Sequence, residues 1–350
     1  MDLSIILDSQ MPKIEPLVAE ATQNLTDVLH DVFKHDDTHN ALVIYDLDSP
    51  LSTILTEAYR KALPRGIFIN FHETDTEVIL SEIESLKAGD FVTLVQSTSF
   101  RLSAFRIRIE LFKNKIKVAE HPHLGRMVEA YEVTNYVNAL AYDKNYFHHT
   151  GHSLKTLINN AKSAVVHSGK EKLFYPVGFE DAKINIGDYS EMKNVGGQFP
   201  IGEVFTESTE LSAVEGRTNI IAFGDTNYKV NIPPHPITLI IEKGQIVGTE
   251  NSTDEFEAVL EMIKEEENVV WVRELGLGLN RAFSKEKTVS DMGTFERMCG
   301  LHLSLGAKHG IYAKDGMKRN SGKFHIDVMI DTTSLTIDET IVFDGDKWVI

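Results

Sequence analysis

Hydrophobic and polar positions alternate in two different ways along this chain, and the first way dominates from about residue 40 to residue 120. Short apolar runs alternate there with amphipathic stretches of helical period. These segments predict buried strands at 41–45, 66–70, 91–95 and 115–118, and helices at 51–63, 76–87 and 101–112. Strands separated by helices of this length pair in parallel through right-handed crossovers. The pattern therefore predicts an open, doubly wound α/β domain.

The second pattern begins after a further predicted helix at 153–164. Short apolar runs now follow one another with only glycine or proline turns between them, which is typical of antiparallel strands. The predicted strands lie at 218–223, 228–232, 237–241, 245–247, 269–272, 325–330 and 340–343, with an acidic helix at 254–267. We place a domain boundary near residue 170. This gives a Rossmann-like α/β domain at 1–169 and a mostly antiparallel, metal-binding catalytic domain at 170–350.

Composition narrows the classes of partner. Hydrophobic residues make up 42% of the 350 residues and charged residues 25%, as in an ordinary globular protein. The 52 acidic residues outnumber the 35 basic ones and give a formal charge of -17. This sign disfavours nucleic acid as a partner, because a basic surface supplies most of the affinity for phosphates.

Cysteine use and hydropathy predict the compartment. The single cysteine, Cys299, excludes an intramolecular disulfide and a cysteine-rich zinc site. The amino terminus lacks the basic and apolar segments of a secretory signal. No apolar run approaches the roughly 20 residues of a membrane helix. We therefore expect a cytoplasmic protein that does not bind membranes.

Nucleotide binding by the first domain is not expected. Its first predicted strand is followed by the acidic segment 46–50 rather than by a glycine-rich turn. The dinucleotide pattern GxGxxG and the phosphate-loop pattern GxxxxGK[ST] are both absent from the sequence. The sequence predicts no bound nucleotide cofactor, and a scaffold role fits this domain better.

Metal-capable side chains are concentrated in the second half. His325 and Asp327 lie two residues apart on a predicted strand, so their side chains emerge on the same face. Glu203 is flanked by glycines, Glu274 ends an apolar run, and His302 lies within the apolar segment GLHLSLG. Ionisable groups in apolar segments cost several kcal/mol to desolvate unless they are paired or bind metal.

A metal centre explains this cluster. Carboxylates and imidazoles without thiolates suit Zn, Mn, Co or Fe. Two cations roughly 3.5–4 Å apart need about this many ligands and can bridge a hydroxide for hydrolysis. A third histidine, His309, lies close by in the sequence.

These segments resemble the aminopeptidase T family, metallopeptidases of the thermophilic leucyl aminopeptidase type with a dinuclear centre. Glu203 matches the ligand in the family's GEVFT segment, and Glu274 matches the glutamate of its ELGIGLN-like segment. His302 matches the histidine of an HIALG-like segment, and His325 with Asp327 matches the family's HxD pair. The resemblance implies that these five residues bind two divalent ions (Zn, Co or Mn) in a homodimer that cleaves N-terminal residues from peptides.

The resemblance covers roughly residues 195–350, whereas the first half resembles the family only in its α/β pattern. One departure concerns the active-site tyrosine that follows the motif histidine by seven residues, because this chain has His309 there. Tyr312, three residues further along the chain, is the alternative counterpart of that tyrosine. We expect Glu203 or Glu274 to act as general base and His309 to donate a hydrogen bond to the tetrahedral intermediate.

Two other readings stay open from the sequence. The dihydroxypyridine ring-cleaving dioxygenases are also similar, and the alternative is a mononuclear non-haem iron enzyme that uses Glu274, His325 and Asp327 as ligands. Their lone histidine falls where Glu274 stands here, and they lack the counterparts of Glu203 and His302. The third reading is a non-catalytic fold whose site has decayed.

Overall fold

The computed structural model describes residues 14–101, 107–314, 317 and 322–350. The helices are α1 (Ile14–Asp31), α2 (Pro50–Ala62), α3 (Thr76–Ser85), α4 (Ile107–Lys113), α5 (Ala130–Ala139), α6 (Lys144–Asn160), α7 (Asp254–Glu267) and α8 (Met292–Phe295). Among these residues, no helix combines the length and the apolar character needed to cross a membrane.

The strands are β1 (Ala41–Tyr45), β2 (Ile67–Asn70), β3 (Phe91–Val95), β4 (Lys117–His121), β5 (Ala164–Ser168), β6 (Glu171–Tyr175), β7 (Lys183–Asn185), β8 (Gly196–Gln198), β9 (Glu203–Glu207), β10 (Glu215–Gly224), β11 (Val230–Asn231), β12 (Ile237–Glu242), β13 (Gln245–Glu250), β14 (Val272–Gly278), β15 (Gly300–Leu305), β16 (Ile326–Ile330), β17 (Ser334–Ile337), β18 (Thr340–Asp344) and β19 (Lys347–Trp348).

The chain forms two compact units, and the first holds a parallel sheet. This unit takes the chain up to Lys144 and two later segments, Gly187–Ile201 and Lys287–Val289. Its strands lie in the order β2-β1-β3-β4-β8, and each neighbouring pair is parallel. Parallel pairing with intervening helices confirms the predicted α/β class for this part of the chain.

Local sequence explains where α2 begins. Ser49 caps the helix, because its side chain accepts a hydrogen bond from the backbone N–H of Ser52 while Ser52 Oγ accepts one from the Ser49 N–H. Pro50 occupies the first turn, where its missing N–H is not needed. This reciprocal cap satisfies two donors that the helix itself leaves unpaired.

The last strand of the parallel sheet arrives from a distant part of the sequence. Val118 of β4 pairs with Gly196 of β8. Gly196 has φ +122, and a Cβ there would lie 1.9 Å from the Val118 carbonyl oxygen, so only glycine allows this close approach.

The second unit is built on an antiparallel sheet. It comprises Asn145–Ile186, Gly202–Glu286 and Ser290–Ile350. The strand order is β19-β18-β17-β5-β6-β10-β16-β15-β14-β9-β7, with β11 and β12 pairing with β10, and β13 with β12. This sheet confirms the predicted mixture of parallel and antiparallel structure. The division of the chain at 169/170 stays a prediction.

Several predicted elements are displaced or incomplete. The strand predicted at 269–272 begins only at Val272 and runs to Gly278, and the strand predicted at 115–118 is Lys117–His121. The helix predicted at 153–164 is wrong at both ends, because α6 spans Lys144–Asn160. For the helix predicted at 101–112, residues 102–106 lie outside the described residues and the rest is α4.

Candidate metal centre

Four neighbouring strands of the antiparallel sheet carry the predicted ligands. Glu203 begins β9, and Glu274 lies on β14, which pairs with β9. His302 lies on β15 and Asp327 on β16, and β15 pairs with both β14 and β16. His325 directly precedes β16. Sheet pairing therefore gathers residues that are far apart in the sequence.

The side chains of these residues approach one another closely. His302 Nε2 lies 3.5 Å from a carboxylate oxygen of Glu203 and 3.5 Å from one of Glu274. His325 Nε2 lies 3.2 Å from an oxygen of Asp327. Two sets, Glu203–Glu274–His302 and Glu274–His325–Asp327, each place three ligand atoms within 4.8 Å of one another. Glu274 belongs to both sets, so the five predicted residues form one continuous cluster.

Glu296 is a further carboxylate that sequence reasoning missed. It forms a third such set with His302 and Asp327, again within 4.8 Å. Glu296 is the residue that follows the short helix α8. Its neighbours in the sequence gave no periodic signal for an inward-facing acid, and only its position six residues before His302 hinted at the site.

Burial leaves polar atoms of the cluster unpaired. Glu203, Glu274, His302 and Asp327 are all buried. Within the part of the chain that the structure describes, neither ring nitrogen of His302 forms a hydrogen bond. Oδ1 of Asp327 forms none either, although it is the oxygen that lies 3.2 Å from His325 Nε2. Each unsatisfied buried group costs about 1–3 kcal/mol. Coordination of a divalent cation would satisfy these atoms, and a set of carboxylates and imidazoles fits Zn, Mn, Co or Fe.

Two backbone features aim Glu274 and make room for His302. The pairing of β14 with β15 is irregular between Val272 and Leu275, and such a bulge redirects the side chain next to it. Ser304 Oγ accepts a hydrogen bond of 3.0 Å from the Glu274 N–H at this irregularity. Gly276 pairs with His302 and provides the space for its ring.

The buried carboxylates and imidazoles of the cluster shift one another's pKa values. Burial raises the pKa of Glu203, although Arg297 and His302 act in the opposite direction. Burial would also raise the pKa of Glu274, but contacts with His302 and His309 outweigh it and hold that pKa well below its usual range.

The pKa values of the two candidate ligand histidines, His302 and His325, are both raised. Burial works against protonation of His302, but the neighbouring carboxylates of Glu274, Glu203 and Asp327 outweigh it and raise its pKa. The same balance, dominated by Asp327 after burial, raises the pKa of His325 to about 10. Since an imidazole binds metal only when its ligand nitrogen is deprotonated, a cation held by these rings would displace protons and would bind more strongly as the pH rises.

A buried arginine borders the acidic side of the cluster. Arg297 Nη2 lies 3.5 Å from Glu203, and Nη1 forms an ion pair with Glu296. Nη1 also donates to the Gly293 carbonyl at 3.2 Å. The guanidinium therefore offsets part of the negative charge that four neighbouring carboxylates bring together.

His309 contacts a ligand candidate rather than open space. Its Nε2 lies 2.9 Å from Oε2 of Glu274. Its Nδ1 faces the backbone N–H groups of Ile311 at 3.1 Å and Tyr312 at 3.4 Å. The Tyr312 hydroxyl donates to the Asp181 carbonyl at 2.7 Å and is therefore already engaged.

Comparison with known proteins gives a fold relationship. No protein-family model matches the chain, and no curated protein matches it significantly. The solved structure of wild-type AmpT from Thermus thermophilus is similar, with a TM-score of 0.53. The match covers 95% of this chain and 99% of that chain, with 14% sequence identity. At this identity the likeness shows that the two chains share a fold.

Proposed function

We propose that the protein is a metal-dependent aminopeptidase that removes N-terminal residues from peptides with two divalent cations, Zn, Co or Mn. The observation that carries the proposal is the convergence of Glu203, Glu274, His302, His325 and Asp327 from adjacent strands into overlapping sets of ligand atoms. The similarity of the fold to that of AmpT, an aminopeptidase T, supports the proposal.

The overlapping sets suggest how the residues divide between two cations. Glu203 and His302 would hold one cation, and His325 and Asp327 the other, with Glu274 near both. Glu296 would add a carboxylate beside His302 and Asp327. When bound, such cations polarise the scissile carbonyl and lower the pKa of the attacking water.

The carboxylate of Glu203 is better suited than that of Glu274 to move the proton. A general base works best when its pKa lies near the working pH, and in the metal-free protein burial raises the pKa of Glu203 above its ordinary value. Glu274 is the weaker candidate, because its contacts with two histidines lower its pKa. In this scheme a Glu203 oxygen takes the proton of the attacking water and delivers it to the leaving amine nitrogen.

The iron-dependent, ring-cleaving alternative stays a prediction. Its ligand set Glu274–His325–Asp327 is one of the compact groups, but it contains one histidine and two carboxylates. Oxygenases of this kind ordinarily use two histidines and one carboxylate. The additional acids Glu203 and Glu296 near His302 favour a larger, hydrolytic centre.

Metal content and peptidase activity together test the proposal. The protein is stripped with a chelator, reloaded with Zn, Mn, Co or Fe, and analysed for bound metal and for hydrolysis of leucine p-nitroanilide. We expect about two cations per chain and amide hydrolysis. Glu203→Gln should abolish hydrolysis, whereas the matched control Glu255→Gln, an exposed acid on α7, should not.

Each of the other outcomes would assign the protein to a different functional class. One iron per chain without hydrolysis would support the ring-cleaving alternative, and its check is oxygen uptake with a dihydroxypyridine. Absence of any bound metal would support the non-catalytic reading and overturn the proposal. Sedimentation of the reloaded protein tests the homodimer that the family resemblance implies.

A further inference from the structure

We infer that His309 is a positioning residue, which holds the carboxylate of Glu274 through its Nε2–H instead of donating to the reacting carbonyl. The inference deepens the proposed function and rests on it only in taking Glu274 to be a metal ligand. Its geometric basis is the 2.9 Å contact between His309 Nε2 and Glu274 Oε2.

Local hydrogen bonds fix the tautomer of His309. The backbone N–H groups of Ile311 and Tyr312 both point at Nδ1, and a ring nitrogen that faces two donors must present its lone pair. The single ring proton of the neutral imidazole therefore lies on Nε2, where it is directed at Glu274. The hydrogen bond at one nitrogen thus decides what the other can do.

This arrangement leaves no N–H of His309 for a substrate. The ring is only 3% exposed and is enclosed by aromatic neighbours. The Tyr312 ring lies 4.9 Å away and the His325 ring 5.9 Å away, between centroids. If His309 donated its Nε2–H to a tetrahedral intermediate, it would lose its hydrogen bond to Glu274. The carboxylate of Glu274 would then be free to move during the reaction step in which it must stay fixed.

Arg273 anchors the loop that carries His309. Its guanidinium donates to the Ala307 carbonyl and, at 3.4 Å, to the Tyr312 carbonyl, which lie on either side of His309. It also forms two hydrogen bonds, of 2.9 and 3.0 Å, with Glu207 of β9. Both members of this ion pair are completely buried.

Arg273 directly precedes Glu274 on β14, so two adjacent strand positions set the two ends of the contact. The backbone of β14 places the Glu274 carboxylate, and the adjacent side chain places the loop whose histidine meets that carboxylate. A ligand supported in this way keeps its orientation, and loss of such support typically weakens metal binding by about 10–100-fold.

Metal affinity measured by calorimetry tests this role without any peptide. Mn²⁺ and Zn²⁺ are titrated into the metal-free wild type, His309→Ala, His309→Gln and the exposed-histidine control His235→Ala. We expect a loss of about 10–100-fold for His309→Ala, and partial recovery in His309→Gln because its amide N–H can donate to Glu274. The control should bind as the wild type does. An affinity of His309→Ala within twofold of the wild type would overturn the inference.

A second measurement uses the unaltered protein, so it does not depend on a variant that folds. Nitrogen-15 labelling of histidine reports the tautomer of His309 in the metal-free state, with its signals assigned by their loss in His309→Gln. We expect the Nε2–H tautomer. A proton on Nδ1 would contradict the hydrogen-bond pattern and the inference with it.

Kinetics separate positioning from direct donation. Excess metal should restore much of kcat in His309→Ala, because only the placement of Glu274 is impaired. A donor to the intermediate would leave kcat low at saturating metal with KM little changed, and this result would overturn the inference. If no variant or wild type hydrolyses peptides, affinity and tautomer still decide the role of His309 while the proposed function fails.

Discussion

The imidazole of His302 lies against the bare backbone of Gly276, its partner across the pairing of β14 with β15. A Cβ on Gly276 would lie 2.0 Å from both Cε1 and Nε2 of the ring. No side chain can share this space with the ring. Gly276 therefore contributes to the candidate site because it has no side chain and leaves room for the His302 ring.

Gly276→Ala should displace His302 and weaken metal binding. Overpacking of this kind typically costs about 1–3 kcal/mol of folding free energy. The matched control is Gly248→Ala on β13, where the nearest atom to a new Cβ lies 3.6 Å away. Urea unfolding and metal titration of both variants check the prediction. Equal metal affinity in the two variants would show that the His302 ring does not depend on this space.

Glu207→Gln should be strongly destabilising. It leaves the buried guanidinium of Arg273 without a counter-charge, and breaking a buried pair in this way typically costs about 3–5 kcal/mol. The comparison is Glu266→Gln, which removes a solvent-exposed ion pair with Lys323. That change should cost less than about 1 kcal/mol. Chemical unfolding of both variants distinguishes the two cases, and similar midpoints would contradict the prediction.

His121 should make the parallel-sheet unit sensitive to acid. Its Nε2 accepts from the Tyr59 hydroxyl at 2.8 Å, and Nδ1 lies 3.0 Å from the Tyr136 hydroxyl, which donates to Phe199. Burial lowers the pKa of His121 to about 3. The folded state therefore binds fewer protons than the unfolded state between the ordinary pKa of about 6.5 and about 3.

The free energy of unfolding consequently falls as the pH drops through this window, by up to about 1.4 kcal/mol per pH unit from this residue. His121→Gln keeps a donor and an acceptor but cannot titrate, so its unfolding free energy should fall less steeply. Urea unfolding of both proteins at about pH 7 and about pH 5 measures the two slopes. Parallel slopes would mean that His121 does not hold this depressed pKa.

Divalent metal should raise the unfolding temperature. A ligand that binds only the folded state at about 100 times its dissociation constant adds about 2.7 kcal/mol. Calorimetry with and without Zn or Mn, followed by a chelator, measures the gain and its reversal. The gain should be reduced in His302→Ala, whose site loses a ligand. A gain that survives this change undiminished would locate the stabilising cation elsewhere.

Regular elements with strong local signals could be predicted from the sequence. The limits predicted for the acidic helix, 254–267, are those of α7 in the structure, where Thr253 caps the first turn and acids fill it. The start predicted for α6 lies too late in the sequence, because the first half of the helix contains residues with little helical preference, such as His148 and Gly151. Strand β8 was missed, since a glycine pair gives no apolar signal.

The sequence predicts which residues form the candidate site but not the contacts that they make. Motif segments singled out the five predicted ligands, and the structure brings them together. The sequence does not reveal Glu296 as a candidate ligand, because the orientation of its side chain depends on the turn after α8 rather than on a repeating pattern. The contact of His309 with Glu274 depends on two backbone N–H groups, Ile311 and Tyr312, whose directions no residue pattern encodes.

Because β8 comes from much later in the sequence than β4, its pairing with β4 has a consequence for folding during synthesis. Until residues Gly196–Gln198 leave the ribosome, the parallel sheet ends at β4 and exposes an unpaired strand edge. Such an edge is a template for association with other chains. A fragment that ends near residue 170 would keep the unpaired edge of β4. Such an isolated amino-terminal fragment should therefore aggregate unless the segment that forms β8 is supplied.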